Sequence, residues 1–275
     1  MKFLVHMLLA FAAMATLSDS VLASPDKVGV GVQYPAVSPS GRELAFSADF
    51  DGHARIWVVG IDGNRLRRVS SLDANSPSKV DARPTWSPDG RKIAYESWNG
   101  NQADIWLMQA DGAYPTKLTS NGAINTDPAW SPDGRSIAFV SAKENGTKDV
   151  WLMNADGTGP RKLFGSDLYS NSPSFSPDGK HLVFSRTDGE SASLAIVNID
   201  GTGLRTLTSG KFRDWEPNWG AAGIVFCSDR SAPGECKLWV IQPDGADLRS
   251  MGNFAGHDPA WLPDSKRLLY TSADE

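Results

Sequence analysis

The chain is poor in the residues from which most reactive sites are built. It has two cysteines and four histidines in 275 residues. None of His53, His181 and His257 has a zinc-type partner at helical or hairpin spacing, which argues against a zinc centre. No Gly-x-Ser-x-Gly elbow is present to carry a serine nucleophile, and no Ser, His and acid stand out as a triad. Basic residues do not dominate: 27 Lys and Arg face 32 Asp and Glu, for a net charge of −5. That balance, without a basic stripe, excludes the electrostatic footprint of a nucleic-acid binder. Asp49-x-Asp51-Gly52 begins like a calcium loop, but the later ligands are missing. Beyond the first residues, no apolar run is long enough to cross a bilayer.

Those first residues carry the pattern of a secretory signal. Lys2 is followed by an apolar stretch from Phe3 to Leu17, and Val21-Leu22-Ala23 offers small residues before Ser24. We expect residues 1–23 to be a leader cut near Ala23, leaving a periplasmic or secreted protein without stable membrane insertion. An oxidising compartment favours disulfides. Cys227 and Cys236 flank the loop SDRSAPGE between two predicted strands, so a bridge would staple a hairpin; two buried thiols are the alternative.

A repeat fills the rest. Pro-x-aromatic-Ser-Pro-Asp-Gly occurs as PTWSPDG, PAWSPDG and PSFSPDG, with weaker copies PAVSPSG, PNWGAAG and PAWLPDS. Their first prolines are Pro35, Pro84, Pro128, Pro173, Pro217 and Pro259, spaced 42 to 49 residues apart. That is the period of a four-stranded propeller blade. Within each unit a strand ends at the aromatic, and Ser-Pro-Asp-Gly turns the chain. A second strand (KIAYES, SIAFVS, HLVFSR) and a third (RIWVVG, DIWLMQ, DVWLMN, KLWVIQ) follow. An Asp-Gly turn then leads to a short fourth strand. The Asp-Gly pairs are expected to form tight hairpins in which both residues can take φ > 0. Strands such as DIWLM are apolar on both faces, as in blades sandwiched between neighbours. Trp57, Trp106, Trp151 and Trp239 are then inter-blade filler.

The predicted fold class is all-β: a six-bladed β-propeller of four-stranded antiparallel blades over residues 24–275. Its units start near residues 34, 83, 127, 172, 216 and 258. The sixth unit supplies only PAW and RLLYTS, so the last blade is either incomplete or closed by the two chain ends, with Lys27–Gln33 adding a strand.

The sequence Pro-x-Trp-Ser-Pro-Asp-Gly-Arg/Lys-x-Ile-Ala-Phe, followed by Asp-Ile/Val-Trp-Leu-Met-Asn-x-Asp-Gly, resembles the repeats of TolB-type propellers from about Tyr34 to Ser272. The resemblance is to that propeller alone, without the α/β domain that precedes it in the family. It implies a periplasmic, non-enzymatic scaffold that binds an envelope protein or peptide, such as a peptidoglycan-associated lipoprotein. Similar repeats also occur in prolyl-oligopeptidase propellers and polysaccharide lyases. A carbohydrate-active lyase or hydrolase using the channel mouth is therefore the alternative function.

Blade geometry puts the second-to-third and fourth-to-first connections together on one variable face, where binding is expected. Trp98, Tyr169, Phe212, Trp215 and His257 fall there. The residues before each proline should ring the channel mouth. Among them Arg83, Asp127, Glu216 and Asp258 join those aromatics as partner-binding candidates. No cofactor or catalytic residue is expected. A divalent cation held by Asp127, Glu216 and Asp258 is the alternative use of those acids. We expect a monomer with a protein or peptide partner and no nucleic acid.

Overall fold

The computed structural model describes residues 9–11, 32–50, 52–70, 79–142, 147–165 and 167–272. A short strand, β1 (Leu9–Phe11), comes first in the chain. The first blade is β2 (Gln33–Val37), β3 (Glu43–Ala48), β4 (Arg55–Gly60) and β5 (Arg67–Arg68). The second is β6 (Lys79–Trp86), β7 (Lys92–Asn99), β8 (Gln102–Gln109) and β9 (Thr116–Lys117). The third is β10 (Ile124–Trp130), β11 (Ser136–Ala142), β12 (Lys148–Asn154) and β13 (Arg161–Lys162). The fourth is β14 (Tyr169–Phe175), β15 (His181–Thr187), β16 (Ala192–Asn198) and β17 (Arg205–Thr206). The fifth opens with β18 (Asp214–Gly220), β19 (Gly223–Ser228) and β20 (Lys237–Ile241). Its fourth strand is the start of β21 (Arg249–Trp261), where Arg249 and Ser250 pair with Val240 and Trp239.

The expected six four-stranded blades do not form; five do. The reason lies in β21, a 13-residue strand that serves two sheet positions. Its second half, from Gly256, pairs with β22 (Arg267–Ser272), so the last repeat extends the fifth sheet instead of building a blade of its own. The outer edge of β22 pairs with β1 through Leu9↔Leu269 and Phe11↔Arg267. The strand expected from Lys27–Gln33 falls mostly outside the described residues, which resume at residue 32, and Gln33 begins β2. The expected leader, residues 1–23, is likewise outside them apart from β1.

Blades are held face to face by apolar clusters that each draw on two neighbours. Ile56 and Val58 of the first blade meet Ile93, Tyr95 and Met108 of the second. Ile105 meets Ile137 and Phe139, Val150 meets Leu182 and Phe184, and Ile196 meets Ile224 and Phe226. The ring closes where Leu44 and Phe46 pack against Leu262 and Leu269. Trp57, Trp106, Trp151 and Trp239 pack half-buried against these clusters. Burial on both faces explains why the strands carry apolar residues at successive positions.

The repeat motif works by side-chain chemistry. Ser87 Oγ donates to Asp89 Oδ1 at 2.6 Å and accepts from Lys92 N at 2.9 Å, while Asp89 Oδ1 also accepts from Arg91 N at 3.0 Å. Gly90 takes φ +70°, a conformation open to glycine at little cost. Ser131-Asp133 and Ser176-Asp178 repeat the arrangement. The Asp-Gly turns depart from expectation. Gly63 has φ +79°, but Asp62 is not left-handed; it uses its carboxylate to accept from Asn64 N at 3.0 Å. Gly63 N donates to Gly60 O and Gly60 N donates to Asn64 O, so the loop holds three residues, 61–63, rather than two. The Asp is selected for its side-chain acceptor, not for its backbone.

Candidate functional site

The inner strand of each repeat contains a proline, which has no N–H to give a ladder. Every inner strand answers with a register shift: between Gln33 and Ala36, Ala82 and Thr85, Thr126 and Ala129, Asn171 and Ser174, Trp215 and Asn218, and His257 and Ala260. The residue before each proline, at the bulge, is left-handed. Tyr34, Arg83, Asp127, Ser172, Glu216 and Asp258 all have φ between 51° and 54°. Bulges re-aim side chains, and these six residues form a waist between two cavities. A cavity of about 640 Å³ on the variable-loop face is lined by Arg83, Asp127 and Glu216, and also by Trp98, Lys148, Arg213 and Trp215. A second, of about 700 Å³, opens on the Ser-Pro-Asp-Gly face and is lined by the six prolines.

The waist is stitched across blades by charge. Arg83 Nη1 lies 2.9 Å from Asp127 Oδ1, and its Nε is 4.0 Å from Glu96 Oε2. The same guanidinium stacks over the Tyr34 ring at 4.1 Å. Glu96 Oε2 accepts from Asp127 N at 3.0 Å, and Glu96 Oε1 accepts from Trp98 Nε1 at 3.0 Å. On the far side Glu216 Oε2 accepts from Asp258 N at 2.8 Å. Asp258 Oδ2 accepts from Tyr34 N at 3.3 Å, joining the last repeat to the first. His257 Nδ1 is 3.8 Å from Glu216 Oε2.

Burial and neighbouring charge shift these groups. Burial raises Asp258 to about 7, the Glu216 carboxylate adds to the rise, and Arg83 opposes it. Glu96 is raised by burial and by Asp127, with Arg83 again opposing. Burial works against the charge of Arg83, but Asp127 and Glu96 outweigh it and hold the guanidinium charged. The neighbouring Glu216 carboxylate raises His257, with burial opposing it. The result is an acid-rich waist with one embedded arginine, suited to hydrogen-bonding and cationic groups that enter from the funnel.

The structure gathers most of the sequence candidates. Arg83, Trp98, Asp127, Trp215 and Glu216 line the funnel on the variable face, and Asp258 lines the opposite side of the waist. His257 stands beside Glu216. Tyr169 and Phe212 are not among the lining residues: Tyr169 is exposed on β14, and Phe212 packs under Arg230 with the guanidinium carbon 5.0 Å from its ring. The three acids proposed as cation ligands are divided, Asp127 with Arg83, and Glu216 with Asp258 and His257. Sequence reasoning missed Glu96. The corresponding positions in the second strands of the other repeats hold Ser47, Val140, Ser185, Cys227 and Thr271, so a lone acid there was a visible signal. Cys227 and Cys236 form a disulfide with a Cα separation of 5.4 Å, within the usual range. The sequence placed no histidine near this pair; the structure sets His257 Nδ1 4.0 Å from Cys227 Sγ.

A family model described as the TolB beta propeller domain matches residues 35–265. No curated protein matches the chain in sequence. Among solved structures, a putative TolB from Agrobacterium tumefaciens superposes with a TM-score of 0.76 at 20% identity, covering 89% of this chain and 91% of that one. TolB from Acinetobacter baumannii superposes with a TM-score of 0.58 at 19% identity, covering 88% of this chain but 64% of that one. An oligogalacturonate lyase from Vibrio parahaemolyticus gives a TM-score of 0.64 at 11% identity over 90% of this chain and 73% of that one. At these identities the likeness is one of fold. Among the described residues, no helix is long and apolar enough to cross a membrane.

Proposed function

Since the chain belongs to the TolB beta propeller domain family, we propose that it is an exported, non-enzymatic scaffold that binds a protein or peptide in the funnel on its variable-loop face. The observation that carries this reading is the funnel itself. Trp98 and Trp215 flank a waist in which Arg83, Glu96, Asp127 and Glu216 converge. Half-buried aromatics around a charged centre are the make-up of a protein-binding hot spot. The lining residues supply three acids, two guanidiniums, an ammonium and hydroxyls but no histidine, and one of those acids, Glu96, is tied to Arg83 and to the Asp127 N–H. The partner is an envelope protein, with a peptidoglycan-associated lipoprotein the candidate implied by the family resemblance.

The test is capture from an envelope extract with immobilised chain, alongside Trp98→Ala and Trp215→Ala variants. A partner that is retained by the native chain and lost from both folded variants supports the reading. A glycan library that is turned over while no protein is retained favours the lyase or hydrolase reading and overturns this one.

A further inference from the structure

Cys227 occupies the second-strand position that Glu96 holds in the second blade. It is fully buried on β19, and Cys236 is 5% exposed just before β20. His257 reaches them from β21, two strands further on. One ligand atom from each of Cys227, Cys236 and His257 lies within 4.8 Å of the others, and no other Cys, His, Asp or Glu trio among the described residues does this. A tetrahedral metal with M–S of about 2.3 Å and M–N of about 2.0 Å places sulfur and nitrogen about 3.5 Å apart. The 4.0 Å from Cys227 Sγ to His257 Nδ1 is close to that spacing. The Cys236 sulfur is 2.7 Å from the Gly256 carbonyl oxygen, an acceptor in place for a reduced thiol. His257 is 46% exposed, which leaves a route for an ion.

We propose that Cys227, Cys236 and His257 form a redox-gated site for a soft d10 cation of the Zn(II) or Cu(I) type. As a disulfide the site is closed, because both sulfurs are bonded to each other. A dithiol breaks the Sγ–Sγ bond, is itself oxidised to a disulfide, and leaves two thiols. The cation then displaces their two protons and takes His257 Nδ1 as the third ligand. Two thiolates and one imidazole suit such ions better than hard ones. The fourth position is left to water, to Glu216 Oε2 at 3.8 Å from Nδ1, or to a donor from a bound partner. This site is independent of the partner-binding reading, since it needs no partner to load.

The experiment uses the full chain, reduced with dithiothreitol, freed of reductant under argon and titrated with Zn(II) and Cu(I) against chromophoric competitors. Co(II) serves as the spectroscopic probe. The reduced chain is expected to bind one ion, with a thiolate-to-cobalt charge-transfer band, and the oxidised chain none. His257→Ala, at an exposed position, should weaken binding by about tenfold or more, since loss of an outer-sphere partner alone can cost that much. Circular dichroism of each sample establishes that the variant and the reduced chain are folded. Failure of the folded, reduced chain to bind either ion, equal binding by the oxidised chain, or unchanged affinity in His257→Ala overturns the proposal.

Discussion

Replacing Asp258 with Asn tests the electrostatics of the waist. Asp258 is raised from 3.8 to about 7, by burial first and by Glu216 second. A carboxyl raised on folding binds its proton more tightly in the native state. Its contribution is therefore favourable below the unfolded value of 3.8 and is lost as pH rises towards 7. The full shift corresponds to a ceiling of about 4 kcal/mol at pH 8. Asp258 is only partly buried by surface area, so solvent screening reduces this to about 1–2 kcal/mol. Asn keeps an oxygen to accept from Tyr34 N and removes the charge facing Glu216. Asp258→Asn should thus raise the unfolding midpoint at pH 8 by about 2–8 °C, given about 2–4 °C per kcal/mol in a chain of this size. The gain should shrink steadily towards pH 5. Thermal melts followed by tryptophan fluorescence across that range measure it. A variant that is destabilised at pH 8, or whose gain does not change with pH, refutes the reasoning.

Other perturbations address the ring and its waist. Arg83→Met leaves Glu96 and Asp127 facing each other without a cation and should cost about 2–3 kcal/mol, below the value for a fully buried pair because Arg83 is 27% exposed; denaturant melts check it. Phe184→Ala opens a cavity between the third and fourth blades and should cost about 3–5 kcal/mol in the same assay. Asp89→Ala removes the acceptor shared by Ser87 Oγ and Arg91 N and should cost about 1 kcal/mol while the fold is kept, as seen by circular dichroism. Mass spectrometry of the exported chain should find an N-terminus at Ser24, so that β1 is lost from the edge of β22; an intact Met1 would refute leader cleavage.

The architecture was legible in the sequence where one residue type answers one local demand. Ser87, Asp89 and Gly90 each have a separate role in a turn, so the motif recurs with the strands it joins. The blade count was not legible in the same way. Counting prolines counts inner strands, and nothing in the composition of residues 249–261 shows that one strand will serve two sheet positions. The waist was legible because its residues immediately precede each proline, which is a local rule. Glu96 stands out in sequence as a lone acid, but its role depends on Asp127 and Arg83 from other strands, 31 and 13 positions away. The meeting of His257 with Cys227 likewise joins the inner strand of the last repeat to the second strand of the fifth blade, 30 residues apart in sequence, which no local pattern shows.

The central claim is that partner binding occurs in the funnel on the variable-loop face. Its most direct measurement is site-specific photo-crosslinking in the cell envelope. One probe replaces Thr187, which lines the funnel, and a second replaces Ser265, which lines the opposite cavity. The account predicts a discrete protein adduct from position 187 that disappears when Trp215→Ala is added, and none from position 265. An adduct from position 265 alone, or one from position 187 that ignores Trp215→Ala, contradicts it.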